Sequence, residues 1–557
     1  MELDVASICE AITAARPDSD RLIFRGRTFT WSEVQDRTRR LANVLGDAGV
    51  GRLTGREHDR VALYLLNGNE YLEGMLGSWK AGAIPFNVNY RYVAEELSYI
   101  LNDSGARALI IHERFTPILV EVIDALDVAP VLVLTVADGS GAPKVSGFVD
   151  YEEALSGASP DLAPDLVRSW SGDDIYLCYT GGTTGMPKGA MWRQADFVVA
   201  ALGVRQRNGQ EFESMEQVVE AARGTVRALP APPLMHGAAH WNALSCWIAG
   251  GAVIIQDVVD RFDPADILET IEKRKATSLL LVGDPMARPL IDTIRRESES
   301  GHRWDLSSLR HILSGGAVMS PETKSALLDL VPGVRIVDVL GSTESGRQGL
   351  SSVESGGDTG AGFTRSPLAT VLNENLDGVL TPGDGRVGWL AQSGRVPLGY
   401  LNDSEKSART FPVVDGVRYA VPGDRARLES DGSVTLLGRD SVCINTGGEK
   451  VFAEEVETAL KLHPAVLDAV VCGRPSERFG HEVAAIIQTR DGMEVSDSDL
   501  LSLAGDHLAR YKLPRAILRR DTIVRSPSGK ADYRWAAGEV AAAGESAAAG
   551  EVAGRSD

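Results

Sequence analysis

RVALYLLN at residues 60–67, NEYLEGMLGSWKAG at 69–82 and ARALIIHE at 106–113 decide the fold. The first and third are short, nearly continuous apolar runs, which read as strands buried on both faces. The second reads as a helix that ends at a glycine. Strand, helix, strand in that order points to a parallel sheet with a crossover helix. The rhythm returns in GAVIIQD (251–257), PADILETIEKRKA (264–276), SLLLVGD (278–284) and SSLRHILSGGA (307–317). The predicted class is α/β, with a large N-terminal domain of mixed and parallel sheets sandwiched by helices.

Beyond GSVTLLGRDSV (432–442) the texture changes. EEVETALKLHPAV (454–466) reads as a helix, while LDAVVCGRP (467–475) and EVAAIIQTR (482–490) read as strands. The predicted division is a domain over 1–438, a small mobile α+β domain over 439–535, and a tail over 536–557. The tail is almost all Ala, Gly, Glu and Ser and is expected to be frayed. SVESGGDTGAGFT (352–364) reads as loop, and no internal repeat is seen.

A chain of 557 residues exceeds one ordinary core. Its 77 acidic and 57 basic residues give a net charge of -20. Such a field disfavours nucleic acid and anionic membrane surfaces as partners, and an anionic substrate must meet locally placed cations. Five scattered cysteines without ligand spacing argue for a reducing compartment and against disulfides or structural zinc. The acidic start is unlike a signal peptide, and the apolar runs are too short to span a bilayer. A cytoplasmic protein is expected, with a homodimer as one arrangement the sequence leaves open.

The segment most informative about chemistry is DDIYLCYTGGTTGMPKG, residues 173–189. An apolar strand runs into Thr180, Gly181, Gly182, Thr183 and Thr184, with Lys188 just beyond. Glycines let backbone N–H groups approach phosphate oxygens, hydroxyls add donors, and the lysine adds a mobile charge. Pro187 stands where a Walker loop has glycine before its lysine, so this is another kind of phosphate loop. A turn rich in Gly and Thr is common; this order of residues is not.

YTGGTTGMPKG resembles the phosphate loop of the superfamily of acyl-CoA synthetases, peptide-synthetase adenylation domains and luciferases. The resemblance covers nearly the whole chain. PPLMHGAAHW (232–241) is similar to the substrate-side motif and supplies His236. SGGAVMSP (314–321) resembles the adenine-binding turn, with Gly315, Gly316 and Ala317. DVLGSTES (338–345) carries Asp338, Leu340 and the Thr343–Glu344 pair. YAVPGDRA brings Asp424, LLGRDSVCINTGGEKVFAEEVE brings Arg439, and RSPSGK brings Lys530.

The resemblance implies an AMP-forming ligase that uses ATP, Mg²⁺ and coenzyme A on a small-molecule carboxylic acid or its acyl-adenylate. A carboxylate must attack the α-phosphate of ATP, and two anions then share one transition state. Lys530 is implied to neutralise that charge. Glu344 is implied to hold Mg²⁺, with Thr343 and Thr184 orienting the phosphates. Asp424 and Arg439 are implied on the ribose or phosphate, and His236 as a gate between the acyl pocket and the thiol tunnel. Ser441 falls at the family's hinge, and Gly447, Gly448, Glu449 and Lys450 on its coenzyme A loop. The small domain is expected to swing so that one pocket runs both half-reactions.

Three residues depart from the pattern. Leu340 stands where an aromatic ring usually stacks on adenine, forgoing roughly 0.5–1.5 kcal/mol of stacking preference. Ser441-Val442 replaces an acidic hinge pair, and Pro422 replaces a hydroxyl residue. FNVNYRY, LVGDPMARPL and INTGGEKVFAEEVE resemble actinobacterial ligases of steroid side-chain acids and related diterpenoid acids, so a fused-ring acid is the favoured substrate class. Leu340 also fits a chain that only makes the thioester from an adenylate formed elsewhere. An adenylating enzyme that loads a carrier protein, a luciferase-like oxygenase and a non-catalytic nucleotide binder would share much of the same motif set.

Overall fold

The computed structural model describes residues 2–51, 58–180, 186–359, 362–446, 449–476, 480–526 and 529–553. The chain divides into two compact units. One comprises Met1–Ala361, Ser366–Leu368 and Gln392–Ala420, and the other Gly362–Arg365, Ala369–Ala391 and Val421–Asp557. Residues 438 and 439, where the sequence reading starts the C-terminal domain, lie inside the second unit.

The first unit is built on three sheets. To the largest, nine-stranded sheet this unit supplies the strands Gly346–Val353, Arg335–Ser342, His311–Gly315, Ser278–Leu281, Arg227–Pro230, Ala252–Ile254, Asp20–Phe24 and Arg27–Thr30, in that spatial order. Among these strands the pairings are parallel, except for the antiparallel pairs Arg335–Ser342 with Gly346–Val353 and Asp20–Phe24 with Arg27–Thr30. A second sheet, ordered Ile84–Asn87, Arg60–Tyr64, Ala106–His112, Leu132–Val136 and Val149–Asp150, is parallel throughout. The apolar runs at 60–67 and 106–113 are therefore neighbouring strands joined by crossover helices.

Helix Trp31–Asp47 shows how local sequence sets an element. Thr30 and Glu33 form a reciprocal capping box, and Trp31, Val34, Thr38, Leu41, Ala42 and Leu45 make one buried stripe. Helix Asn69–Lys80 is buried almost all round. A Cβ added at Gly77 would lie 2.6 Å from Leu41 Cδ2, so the absent side chain is what lets these two helices approach. Lys80 is fully buried, with its ammonium 2.6 Å from Glu10 Oε1 and 3.0 Å from Thr38 Oγ1. Burial without enough compensation brings it down to about 8.

In the second unit, strands Asp424–Leu428 and Val434–Arg439 form an antiparallel hairpin, and Val387–Trp389 pairs alongside it. A further sheet is ordered Glu449–Phe452, Cys443–Thr446, Gly480–Thr489, Val466–Ser476, with Ala516–Arg519 parallel to Gly480–Thr489. Its side chains alternate between two cores. Ala469, Val471, Val483, Ala485 and Ile487 face helices Ala453–Leu460 and Asp497–Gly505. Val470, Cys472, Ala484 and Ile486 face Ala536 and Val540.

Those last two residues correct one expectation. Residues 536–553, predicted to be frayed, belong to helix Tyr533–Ala553. Ala536 and Val540, one helical turn apart, are 0% and 2% exposed and close the outer core of the sheet. An alanine-rich stretch has a high helix propensity, and burying one apolar stripe is enough to dock it.

Candidate active site

In the first unit, strands Ile175–Thr180 and Lys188–Arg193 pair antiparallel, with Thr180 opposite Lys188. The loop they hold contains Gly181, Gly182, Thr183 and Thr184, which lie outside the described residues. Lys188 Nζ makes an ion pair with the Asp403 carboxylate and lies 5.9 Å from the centre of the Tyr400 ring. Asp403 also caps helix Ser404–Thr410, its Oδ1 accepting from Lys406 N at 2.8 Å. The Lys188 bond, then the cap, hold this carboxyl below its ordinary range.

Tyr400 donates its hydroxyl to Glu344 Oε1 at 2.9 Å. Glu344 sits at the tip of the hairpin between Arg335–Ser342 and Gly346–Val353. Ser342 and Ser345 bond each other across this turn, and Gly346 completes it at φ 65. Trp192 Nε1 donates to the Thr343 carbonyl at 2.9 Å, tying the tip to the phosphate-loop hairpin. A Cβ at Gly237 would lie 3.7 Å from Thr343 Oγ1, which brings His236, the N-cap of helix Gly237–Ile248, into the same neighbourhood.

The start of that helix is held by a buried chain of bonds. His240 is brought down to about 4 by burial and is neutral at physiological pH. Its Nδ1 lies 2.7 Å from the Leu234 carbonyl, which only accepts, so Nδ1 carries the proton. Nε2 then accepts from the Tyr176 hydroxyl at 2.5 Å, and the Tyr176 oxygen accepts from Trp241 Nε1 at 2.6 Å.

Gly315 ends strand His311–Gly315, and Gly316 takes φ 88 in the turn before Ala317. Ser314 Oγ accepts from Gly283 N at 3.3 Å, and Asp284 N donates to the Val318 carbonyl at 3.0 Å, bracing this turn. Asp338 is paired with Lys324 at 2.5 Å, while burial pushes its carboxyl up. Leu340 is half-buried and stands opposite Gly349 across the strand pair.

In the second unit, Asp424 and Arg439 are direct partners across a hairpin, and Arg439 Nε donates to Asp424 Oδ1 at 3.2 Å. Ser441 lies in the short turn Asp440–Val442. Glu449 and Lys450 form strand pairs with Thr446 and Asn445; Gly447 and Gly448 lie outside the described residues. Lys530 is exposed, and its carbonyl accepts from Ser526 N at 2.8 Å. Arg525, next to Ser526, is fixed by its Nε and one terminal nitrogen, which both donate to Asp468 at 2.6 Å.

The first unit thus gathers Lys188, Thr343, Glu344 and His236, and the second places Asp424 against Arg439 and presents Lys530. Sequence reading missed Tyr400, Asp403 and His240. GYLNDS reads as an ordinary turn, and a histidine inside an apolar helix reads as core.

The sequence pattern of the family described as AMP-binding enzyme matches residues 9–383, and that of the AMP-binding enzyme C-terminal domain matches 455–530. The medium-chain acyl-CoA ligase Mig of Mycobacterium avium is 46% identical over 96% of this chain and 97% of its own length. The 3-oxocholest-4-en-26-oate–CoA ligase of Rhodococcus rhodochrous is 40% identical over 96% of each chain. The crystal structure of the anthranilate CoA ligase AuaEII with anthranoyl-AMP superimposes with a TM-score of 0.81, at 23% identity, over 97% of this chain and 98% of that one.

Proposed function

Because the chain belongs to the AMP-binding enzyme family, as an AMP-forming acid–thiol ligase that makes acyl-CoA through an acyl-adenylate, we propose that its substrate is a hydrophobic acid of the steroid side-chain or a related fused-ring class. The observation that carries this is 40% identity, over nearly the full length, to a ligase named for a sterol side-chain acid. A medium-chain fatty acid is the second reading, favoured by the 46% identity to Mig.

In the first half-reaction a carboxylate oxygen attacks the α-phosphorus and pyrophosphate leaves. Lys530 neutralises charge where the two anions meet, and Lys188 with the Thr180–Thr184 loop holds the departing pyrophosphate. Asp424 accepts from the ribose hydroxyls, and Arg439, fixed against it, donates to the ribose or phosphate. In the second, the coenzyme A thiol attacks the acyl carbonyl carbon and AMP leaves. His236 gates the path of the thiol, Gly447–Lys450 lines it, and Ser441 is the hinge that withdraws Lys530.

Glu344 fits Mg²⁺ delivered with the nucleotide. Among the described residues there is no group of three or more His, Cys, Asp or Glu that could hold a metal ion. Magnesium takes few carboxylates when phosphates supply its other oxygens. When bound, it spreads the phosphate charge. The thiols of Cys9, Cys246 and Cys472, which are not halves of disulfides, support a reducing, cytoplasmic setting. No helix among the described residues is long and apolar enough to cross a membrane.

The test supplies coenzyme A and Mg²⁺ with sterol side-chain, diterpenoid and medium-chain acids. Each is given either with ATP or as a synthetic adenylate, and acyl-CoA is followed by mass spectrometry. Highest kcat/KM on a fused-ring acid supports the proposal; preference for straight-chain acids overturns it in favour of the second reading. Thioester from adenylates alone would show that Leu340 marks a lost adenylation step.

A further inference from the structure

We propose that Asp403 is a displaceable counter-ion for Lys188, whose carboxylate and the pyrophosphate group compete for the same ammonium. The inference rests on the reading that Lys188 binds the phosphates. Tyr400 and Asp403 lie on one short turn that pairs with strand Lys188–Arg193, Gly399 opposite Met191 and Tyr400 opposite Ala190. From this turn Asp403 takes Lys188, and Tyr400 takes Glu344. One short segment therefore holds both the Lys188 ammonium and the Glu344 carboxylate.

The pair is built to exchange. The Lys188 and Asp403 side chains are 36% and 31% exposed, so their bond is screened by water and weaker than a buried pair. Asp403 does not depend on the lysine for its place. Oδ1 caps Ser404–Thr410, and the Asp403 carbonyl accepts from Ser407 Oγ at 2.6 Å. A ligand with a higher charge density than one carboxylate can draw the ammonium away without unfolding the turn. When pyrophosphate leaves, Asp403 reclaims the ammonium, which shortens retention of that product.

The test is Asp403→Asn, because asparagine caps a helix as well as aspartate does and removes only the charge. Binding of ATP and of pyrophosphate is measured by titration calorimetry on the full chain. Both should tighten about two- to fivefold, the range an ion pair this exposed supports. Pyrophosphate should inhibit the variant correspondingly more strongly. The tightening should vanish in a Lys188→Met background, because the two residues act through one bond. Unchanged or weaker pyrophosphate binding in Asp403→Asn overturns the proposal. If Lys188→Met alone leaves both affinities unaltered, the phosphate role of Lys188 fails and the proposal falls with it, by a separable route. Asp403→Ser, also a capping residue, replaces the first variant if that one folds poorly.

Discussion

At the residue scale, the second unit hides a carboxyl beside the segment that carries Arg439. Glu454 lies in the first turn of helix Ala453–Leu460, and its Oε1 accepts from Arg439 N at 3.4 Å. Its Oε2 is buried with no hydrogen-bond partner among the described residues. Burial first, and the Glu457 charge second, push the carboxyl up from 4.5 to about 7. In the unfolded chain it ionises at its ordinary value, so between about 4.5 and 7 the unfolded state sheds the proton first. Stability from this group therefore falls as pH rises through that window, by on the order of 3 kcal/mol at full effect. Glu454→Gln should raise the Tm at pH 8 relative to the parent and leave the two nearly equal at pH 4.5. Parallel Tm–pH curves for the two proteins would rule this out.

At the element scale, the C-terminal helix separates composition from structure. Helix Tyr533–Ala553 contributes Ala536 and Val540 to the core formed by Val470, Cys472, Ala484 and Ile486. Val540→Asp places a charge against that sheet face and should cost at least about 2 kcal/mol, read as a fall in Tm. A frayed tail would make the same substitution neutral. The strands around it were legible because each shows an apolar face on both sides, which appears in sequence as an unbroken run such as LDAVVCG. The tail was not, since two buried positions among many alanines leave almost no periodic signal. The site divides the same way. Motifs that put glycine, hydroxyl and charge in a fixed order could be read directly. Tyr400, Asp403 and the Tyr176–His240–Trp241 chain could not, since their partners lie far away along the sequence and meet only through tertiary packing.

At the scale of the whole molecule, the candidate residues are divided between two units that interleave in sequence. Gly362–Arg365 and Ala369–Ala391 belong to the second unit, although residues of the first follow them. A boundary drawn from texture alone cannot register such a return, because each short strand looks like any other. The division matters for the chemistry, since Lys188 and Glu344 stand on one unit and Lys530 on the other. If Lys530 serves only the adenylation step, the two half-reactions come apart in a single variant. Lys530→Ala should slow acyl-CoA formation from ATP and acid by about a hundred- to a thousandfold, the effect of removing one transition-state donor. It should leave thioester formation from supplied acyl-adenylate within a few-fold of the parent. The side chain is exposed, so its removal should not lower the Tm. Equal loss on both routes, followed by acyl-CoA mass spectrometry under single-turnover conditions, would mean that Lys530 also serves the thiol step and does not withdraw between the two.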